Sequence, residues 1–221
     1  LSEVPVVSAV LGSVAGLPAV DAPLSHFSVM VEGMSQIFPG GPPVVKAALG
    51  YDITKEELGG DHIHVRQSGC IDNLAKTEAD AFDQIRRFLS YLPPNVHEMA
   101  PRGETNDPPD RAESALLDFI PRDRRQPYNV RKLINHVVDN GSFFEIAKLY
   151  GRARVTGLAR INGYPVAVIG NDPMFNGGAT DVAGGSKVMR LMQLCDTFHI
   201  PLGSFADDPG FQVGLESEKQ G

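Results

Sequence analysis

The chain has 221 residues, 42% of them hydrophobic and 21% charged, enough to bury a sizeable core as one or two globular domains. Its 27 acidic against 20 basic residues leave a net charge of −7, which argues against a nucleic-acid or anionic-membrane partner. No apolar run is long enough to span a membrane, Leu1–Leu11 lacks the basic start of a signal peptide, and Cys70 and Cys195 share no metal or disulfide spacing, as in a reducing, cytoplasmic compartment.

In chain order, Val4–Leu11 is a continuous apolar, β-branched run that predicts a buried strand of a parallel sheet. Gly12–Gly16 then reads as a tight turn and Leu17–Ser25 as a helix, Pro18 being tolerated in a first helical turn. A second strand is predicted over Phe27–Val31, and short helices over Pro42–Leu49 and Thr54–Leu58, each stopped by glycine. Thr77–Leu92 predicts a longer helix with Phe82, Ile85, Leu89 and Leu92 on its apolar face, stopped by Pro93-Pro94. The Pro-, Arg- and Asp-rich stretch 100–126 reads as a linker between domains at 1–99 and 127–221.

Beyond it, Val130, Leu133, Ile134, Val137 and Val138 have helical spacing, and Asn162-Gly163 marks a hairpin between strands Ala153–Ile161 and Pro165–Ile169. Val188, Leu191, Met192, Cys195 and Phe198 outline another amphipathic helix. Pro201–Ala206 is a strand that empties into Asp207-Asp208-Pro209-Gly210-Phe211. Helices alternating with apolar strands make the class α/β.

The first candidate site is Gly12–Leu17, between a strand and a helix. Glycine lets a ligand approach the backbone, and N–H groups at a helix start offer positive potential to a developing oxyanion. By itself a strand–glycine turn–helix is more often structural. His62 and His64 share a face if Asp61–Val65 is extended, but two ligands without a third are a poor metal site. Cys195 reads as a buried thiol, and Met30, Met34, Met189 and Met192 as core filler. Ser13 has no evident base and no G-x-S-x-G, and Gly177-Gly178 and Gly184-Gly185 fit no nucleotide-binding pattern.

Several segments together carry more. These are VPVVSAVLGSVAG, FSVMVEGMSQIFPGGPPVVK, DITKEELGGDHIHVRQSG, PYNVRKLINHVVDNGSFFEI, GLARINGYPVAVIGNDP and LCDTFHIPLGSFADDPGFQVG. In this order they resemble the carboxyltransferase (beta) subunits of biotin-dependent acyl-CoA carboxylases, the propionyl-CoA and methylcrotonyl-CoA carboxylase family. Glu57, Leu58, Gly59, Gly60, His64, Ser68 and Gly69 match its E-x-L-G-G-x-x-x-H-x-x-S-G pattern.

The resemblance implies parts of two tandem crotonase-like domains: the C-terminal half of an acyl-CoA-binding domain and the N-terminal half of a biotin-side domain. It implies transfer of a carboxylate from carboxybiotin, on a separate carrier, to the carbon alpha to an acyl-CoA thioester through an enolate held by backbone amides, with no metal in this half-reaction. It implies acyl-CoA, a biotin carboxylase/carrier subunit and a homo-hexamer as partners, with a mitochondrial matrix location if eukaryotic. By position, Gly16 and Leu17 fall at the family's Gly-Gly pair on the acyl side, flanked by Gly12, Ser13 and Ala15. Pro209, Gly210 and Phe211 fall in its D-x-P-G-F loop on the biotin side. Leu17 and Asp208 depart from the family's small residues there. Both the Gly16 and Leu17 N–H groups are then expected to face a cavity unpaired, and a chain made of two half-domains is expected to expose apolar surface. A decarboxylase carboxyltransferase and a catalytically silent scaffold subunit are the alternatives.

Overall fold

A strand of apolar residues is stable only where neighbours complete its hydrogen bonds. In the computed structural model, which describes residues 3–123 and 125–220, strand β1 (Val7–Val10) finds its neighbour in β3 (Phe27–Val31), parallel, with Val7 opposite Phe27. The termini of the expected half-domains at Leu1 and Gly221, and Arg124 in the expected linker, lie outside the described residues. Tertiary contacts part the chain between Leu89 and Ser90 into two units.

In the first unit β3 is the centre of a parallel sheet ordered β1-β3-β5, where β5 is Asn73–Ala75. Every residue of β3 is buried, as a continuous apolar run requires, whereas the edge strand β1 is half-buried up to Val10. A second pair, β2 (Ser13–Ala15) and β4 (Gln36–Phe38), is also parallel. Ser13–Ala15 is therefore a strand and not part of a tight turn. The extended conformation is held by a partner distant in sequence, down to a bond from the Gln36 N–H to the Gly12 carbonyl at 3.1 Å.

Helix α1 (Pro18–Leu24) starts with proline in its first turn, and α2 (Pro42–Leu49) ends at a left-handed Gly50. Helix α3 (Lys55–Gly59) opens with a capping box: Thr54 accepts the Glu57 N–H while the Glu57 carboxylate accepts from Thr54. Helix α4 (Asp61–His64) replaces the extended segment needed to align His62 with His64, and His64 Nε2 is tied to the Ile37 carbonyl at 2.8 Å.

Helix α5 (Glu78–Leu89) covers the sheet with only part of the expected face: Leu92, just past its end, is buried and Ile85 is half-buried. Ala81 and Phe88 are buried, with Phe88 stacked on Phe27 at 4.8 Å, whereas Phe82 is 41% exposed and Leu89 faces solvent. Small Ala81 permits a close approach of this face to the sheet. Gln84 also points inward, accepting from Asn73 and donating to the Leu74 carbonyl.

The second unit is built on a four-stranded sheet ordered β6-β7-β8-β9. Strands β6 (Phe144–Ile146), β7 (Arg154–Ile161) and β8 (Tyr164–Asn171) are antiparallel, and β9 (Leu202–Phe205) joins β8 in parallel. The β7–β8 turn is Asn162-Gly163, both at positive φ (50° and 78°), which matches the right-handed twist of the strands. Helix α6 (Val130–Val137) is capped by Asn129 and buries Val130 and Ile134 against Val155, Ala159 and Val168.

Helix α7 (Val182–Phe198) turns Lys187, Leu191, Leu194, Cys195 and Phe198 inward. Met189 and Met192 face solvent and Met34 is partly exposed, so only Met30 of the four expected methionines fills core. The stretch 100–126 is strapped to this unit: Gly103 N–H donates to the Gly163 carbonyl at 2.9 Å, Arg102 to Asn162, and Asp107 accepts from Asn140. A short helix α8 (Leu215–Gln220) follows. No helix among the described residues is long and apolar enough to cross a membrane.

Candidate active site

The glycine turn of the first unit is set by the β2–β4 pairing. Strand β2 carries Ser13 and Ala15 to the surface and delivers Gly16 at φ 75°, a conformation that glycine adopts without steric cost. Leu17 is helical (φ −57°, ψ −44°) and opens α1, its side chain 73% exposed.

The two amides expected to form an oxyanion site do not behave alike. The Gly16 N–H is shared between the carbonyls of Phe38 (3.3 Å) and Pro39 (3.1 Å), so it is not free. Strand β4 runs past the turn, and the carbonyls of its last residue and of Pro39 just beyond it occupy the donor. The Leu17 N–H has no hydrogen bond among the described residues. The expectation of two unpaired amides is therefore corrected to one. Beside the turn, Ser13 Oγ donates to Gln36 Oε1 (2.6 Å) and Gln36 Nε2 to Glu56 Oε2 (3.1 Å). The sequence does not mark Gln36 and Glu56 as neighbours of the site, because β2–β4 pairing brings Gln36 to Ser13 and α3 carries Glu56 to Gln36.

In the second unit, the loop 207–211 leaves β9. Thr180 N–H donates to the Gly210 carbonyl and Gln212 N–H to the Thr180 carbonyl, both at 2.9 Å, so the loop is stitched beside α7. Asp207 accepts from Tyr128 Oη at 2.7 Å, and burial together with this carboxylate raises the Tyr128 phenol. Asp208 accepts the Gly210 N–H at 2.9 Å and pairs with Arg154 at 3.0 Å. Slight burial pulls the Asp208 carboxyl upward, but the Gly210 N–H, Asn171 and Arg154 together hold it below the usual carboxylate range. Pro209 and Phe211 are exposed, Phe211 by 80%. A cavity of about 600 Å³ borders Pro209, lined also by Tyr128, Pro173, Gly177, Asp207 and Asp208. Another of about 350 Å³ borders Phe211, with Thr180, Gly185 and Met189.

Two further groups lie outside both candidate sites. Lys187 is buried, and desolvation brings its ammonium down to about 8. The Cys195 thiol is pushed up to about 12 by burial, which leaves it an inert core group. Neither site presents an activated nucleophile. What they offer is backbone N–H, an exposed aromatic ring and fixed carboxylates, suited to positioning and charge stabilisation.

The sequence model of the carboxyl transferase domain matches residues 1–221. The chain is 38% identical over 218 residues to the carboxyltransferase subunit of propionyl-CoA carboxylase from Haloferax mediterranei, covering 99% of this chain and 42% of that protein. It is 36% identical over 215 residues to the alpha subunit of methylmalonyl-CoA decarboxylase from Veillonella parvula, covering 97% and 42%. Transcarboxylase 12S, whose structure describes a hexamer assembly with hydrolysed methylmalonyl-coenzyme A bound, superposes with a TM-score of 0.94 at 33% identity, over 100% of this chain and 43% of that one. The chain thus spans about two-fifths of the length of the relatives it matches. The fold is α/β and crotonase-like, and with the family's sequence model matched from end to end, the chain belongs to the carboxyl transferase domain family.

Proposed function

We propose that this chain is part of the carboxyltransferase component of a biotin-dependent acyl-CoA carboxylase, its two units belonging to tandem crotonase-like domains of a longer subunit. The observation that carries the reading is the match to the carboxyl transferase domain over residues 1–221, within which Leu17 has a helix-start amide not committed to another backbone group.

On the acyl side, the Leu17 N–H donates to the thioester oxygen of a bound acyl-CoA, and this bond strengthens as the alpha carbon loses its proton and negative charge gathers on that oxygen. Gly12, Ser13 and Ala15 shape the same edge, and the occupied Gly16 amide holds the turn in place. A second donor to the oxygen then has to come from outside this turn.

On the other side, the loop 207–211 suits an uncharged bicyclic ring with apolar surface. The Gly210 N–H and carbonyl are already satisfied, whereas Pro209 and the Phe211 ring are open apolar surface. Pro209, Gly210 and Phe211 would hold the carrier's biotin by contact. When bound, carboxybiotin would supply the carboxylate and leave a basic ureido nitrogen. The carrier, an acyl-CoA and further copies of the subunit are the proposed partners, in a hexamer like that described for transcarboxylase 12S.

The reading is tested with a full-length subunit carrying this chain, assayed for transfer of carboxylate from carboxylated biotin to acetyl- and propionyl-CoA. Carboxylated acyl-CoA is expected. If the subunit instead consumes methylmalonyl-CoA and does not form it, the decarboxylase reading stands, which the Veillonella parvula relative favours. No transfer in either direction would leave the scaffold reading, which the occupied Gly16 amide and the bulk of Leu17 favour.

A further inference from the structure

Asp208 stands directly before the Pro209–Gly210–Phe211 turn, and a partly buried carboxylate there needs a partner. Arg154, at the start of β7, supplies it. Its guanidinium spans Asn171 and Asp208: Nη1 donates to Asn171 Oδ1 at 2.7 Å, and Nη2 lies 3.0 Å from Asp208 Oδ2. The arginine is mostly buried, and its Nε has no hydrogen-bond partner among the described residues. A buried arginine held with its Nε–H unsatisfied is a costly arrangement in the absence of a function for its two Nη groups.

The two partners of Arg154 lead to the same loop. Asp208 accepts the Gly210 N–H, and Thr180 Oγ1 lies 3.4 Å from Asp208 Oδ2, while Thr180 N–H donates to the Gly210 carbonyl. Asn171 Nδ2 donates to the Gly178 carbonyl at 2.9 Å and so fixes the segment that leads into Thr180. The guanidinium thereby ties the sheet to both strands of the β-bridge that pairs Thr180 with Phe211.

We infer that Arg154 is a positioning residue for the Pro209–Gly210–Phe211 loop, acting through Asp208 and Asn171. The inference rests on the reading of this loop as the biotin side, and it adds a charge-dependent brace that the family resemblance does not imply.

Amide hydrogen exchange and the reverse reaction, carboxyl transfer from methylmalonyl-CoA to free biotin, measured on a full-length subunit with Arg154→Met, Arg154→Lys and Asp208→Asn, test it. Loss of a hydrogen bond to a charged group is worth about tenfold or more in local opening. Arg154→Met and Asp208→Asn are therefore expected to speed exchange of the Gly210 and Gln212 amides by about that factor, with the β7–β8 ladder unchanged. Arg154→Lys, which keeps the charge and loses the fork, should recover part of the protection. The same variants should raise KM for biotin and leave KM for methylmalonyl-CoA and kcat at saturating biotin near the parent values. Asp208→Asn keeps the shape of the loop and folds even if a buried Arg154→Met does not. Unchanged exchange at Gly210 and Gln212 in Asp208→Asn overturns the brace and leaves the biotin-side reading intact. Faster exchange with an unchanged KM for biotin overturns the biotin-side reading and the positioning role with it.

Discussion

Lys187 Nζ lies 2.7 Å from the carbonyl oxygen of Tyr150. The same ammonium donates to the carbonyls of Ala147 (2.9 Å) and Gly151 (3.3 Å), so its three donors are spent on one reversing segment, Ala147 to Gly151, although the residue is only 5% exposed. Carbonyl dipoles solvate the charge but do not neutralise it. Burial lowers the group most, and Glu145 and Asp181 restore only part, leaving it at about 8.

The first prediction is that Lys187 contributes a stability that rises with pH on the alkaline side. In the unfolded chain Lys187 keeps its proton up to 10.5, whereas in the folded chain it loses it near 8. Between these values the unfolded state binds more protons, so unfolding becomes harder as pH rises, by up to about 3 kcal/mol for a shift of this size. Denaturant unfolding across that window should show the stability of the parent relative to Lys187→Met growing with pH, a difference in which the opposing Cys195 contribution, common to both, cancels. An identical pH profile in the variant would show that Lys187 titrates normally.

Cys195 works in the opposite sense. Its thiol sits at about 12 when folded and near 9.0 when unfolded, so it withdraws stability as pH rises through that interval. At neutral pH, iodoacetamide should label half-buried Cys70 well before Cys195, and Cys195 only on unfolding. Equal labelling rates in the native protein would contradict a core position for Cys195.

Gly16 and Gly157 should fail in different ways when changed to alanine. A Cβ on Gly16 meets nothing within 4 Å, but the backbone sits at φ 75°, so the cost is conformational, on the order of 1–2 kcal/mol. A Cβ on Gly157 would lie 2.4 Å from the Phe144 carbonyl oxygen, where backbone has to move and the β6–β7 pairing opens. Thermal unfolding should show the second variant to be clearly worse. Equal losses would mean that the turn is packed more tightly than its geometry indicates.

Leu17 is the place to look for specificity. In a full-length subunit, Leu17→Gly keeps the amide and removes an exposed side chain, so stability should change by only about 0.5 kcal/mol. The ranking of acetyl-, propionyl- and longer acyl-CoA substrates should shift toward longer chains. An unaltered ranking would remove Leu17 from the acyl pocket.

What the sequence determined by itself was local, or distributed along the chain in recognisable order. Pro42 and Gly50 bound α2 because proline suits a first turn and glycine a left-handed end, and Asn162-Gly163 reverses the chain because both residues tolerate positive φ. The ordered segments that carried the family resemblance needed no coordinates at all. The tertiary structure decided the rest. Three-residue strands such as Ser13–Ala15 and Phe144–Ile146 hold no periodic pattern of their own and exist because Gln36–Phe38 and Thr156–Leu158 complete their hydrogen bonds. The roll of α5 onto Ala81 and Phe88 depends on what Gln84 meets across the sheet edge. Whether Gly16 or Leu17 keeps a free amide depends on two carbonyls more than twenty residues away, at Phe38 and Pro39. The partner of Asp208 lies on another strand, at Arg154. A residue's own type sets its conformational range, but only the neighbours that folding brings to it decide which of its donors and charges remain to be used.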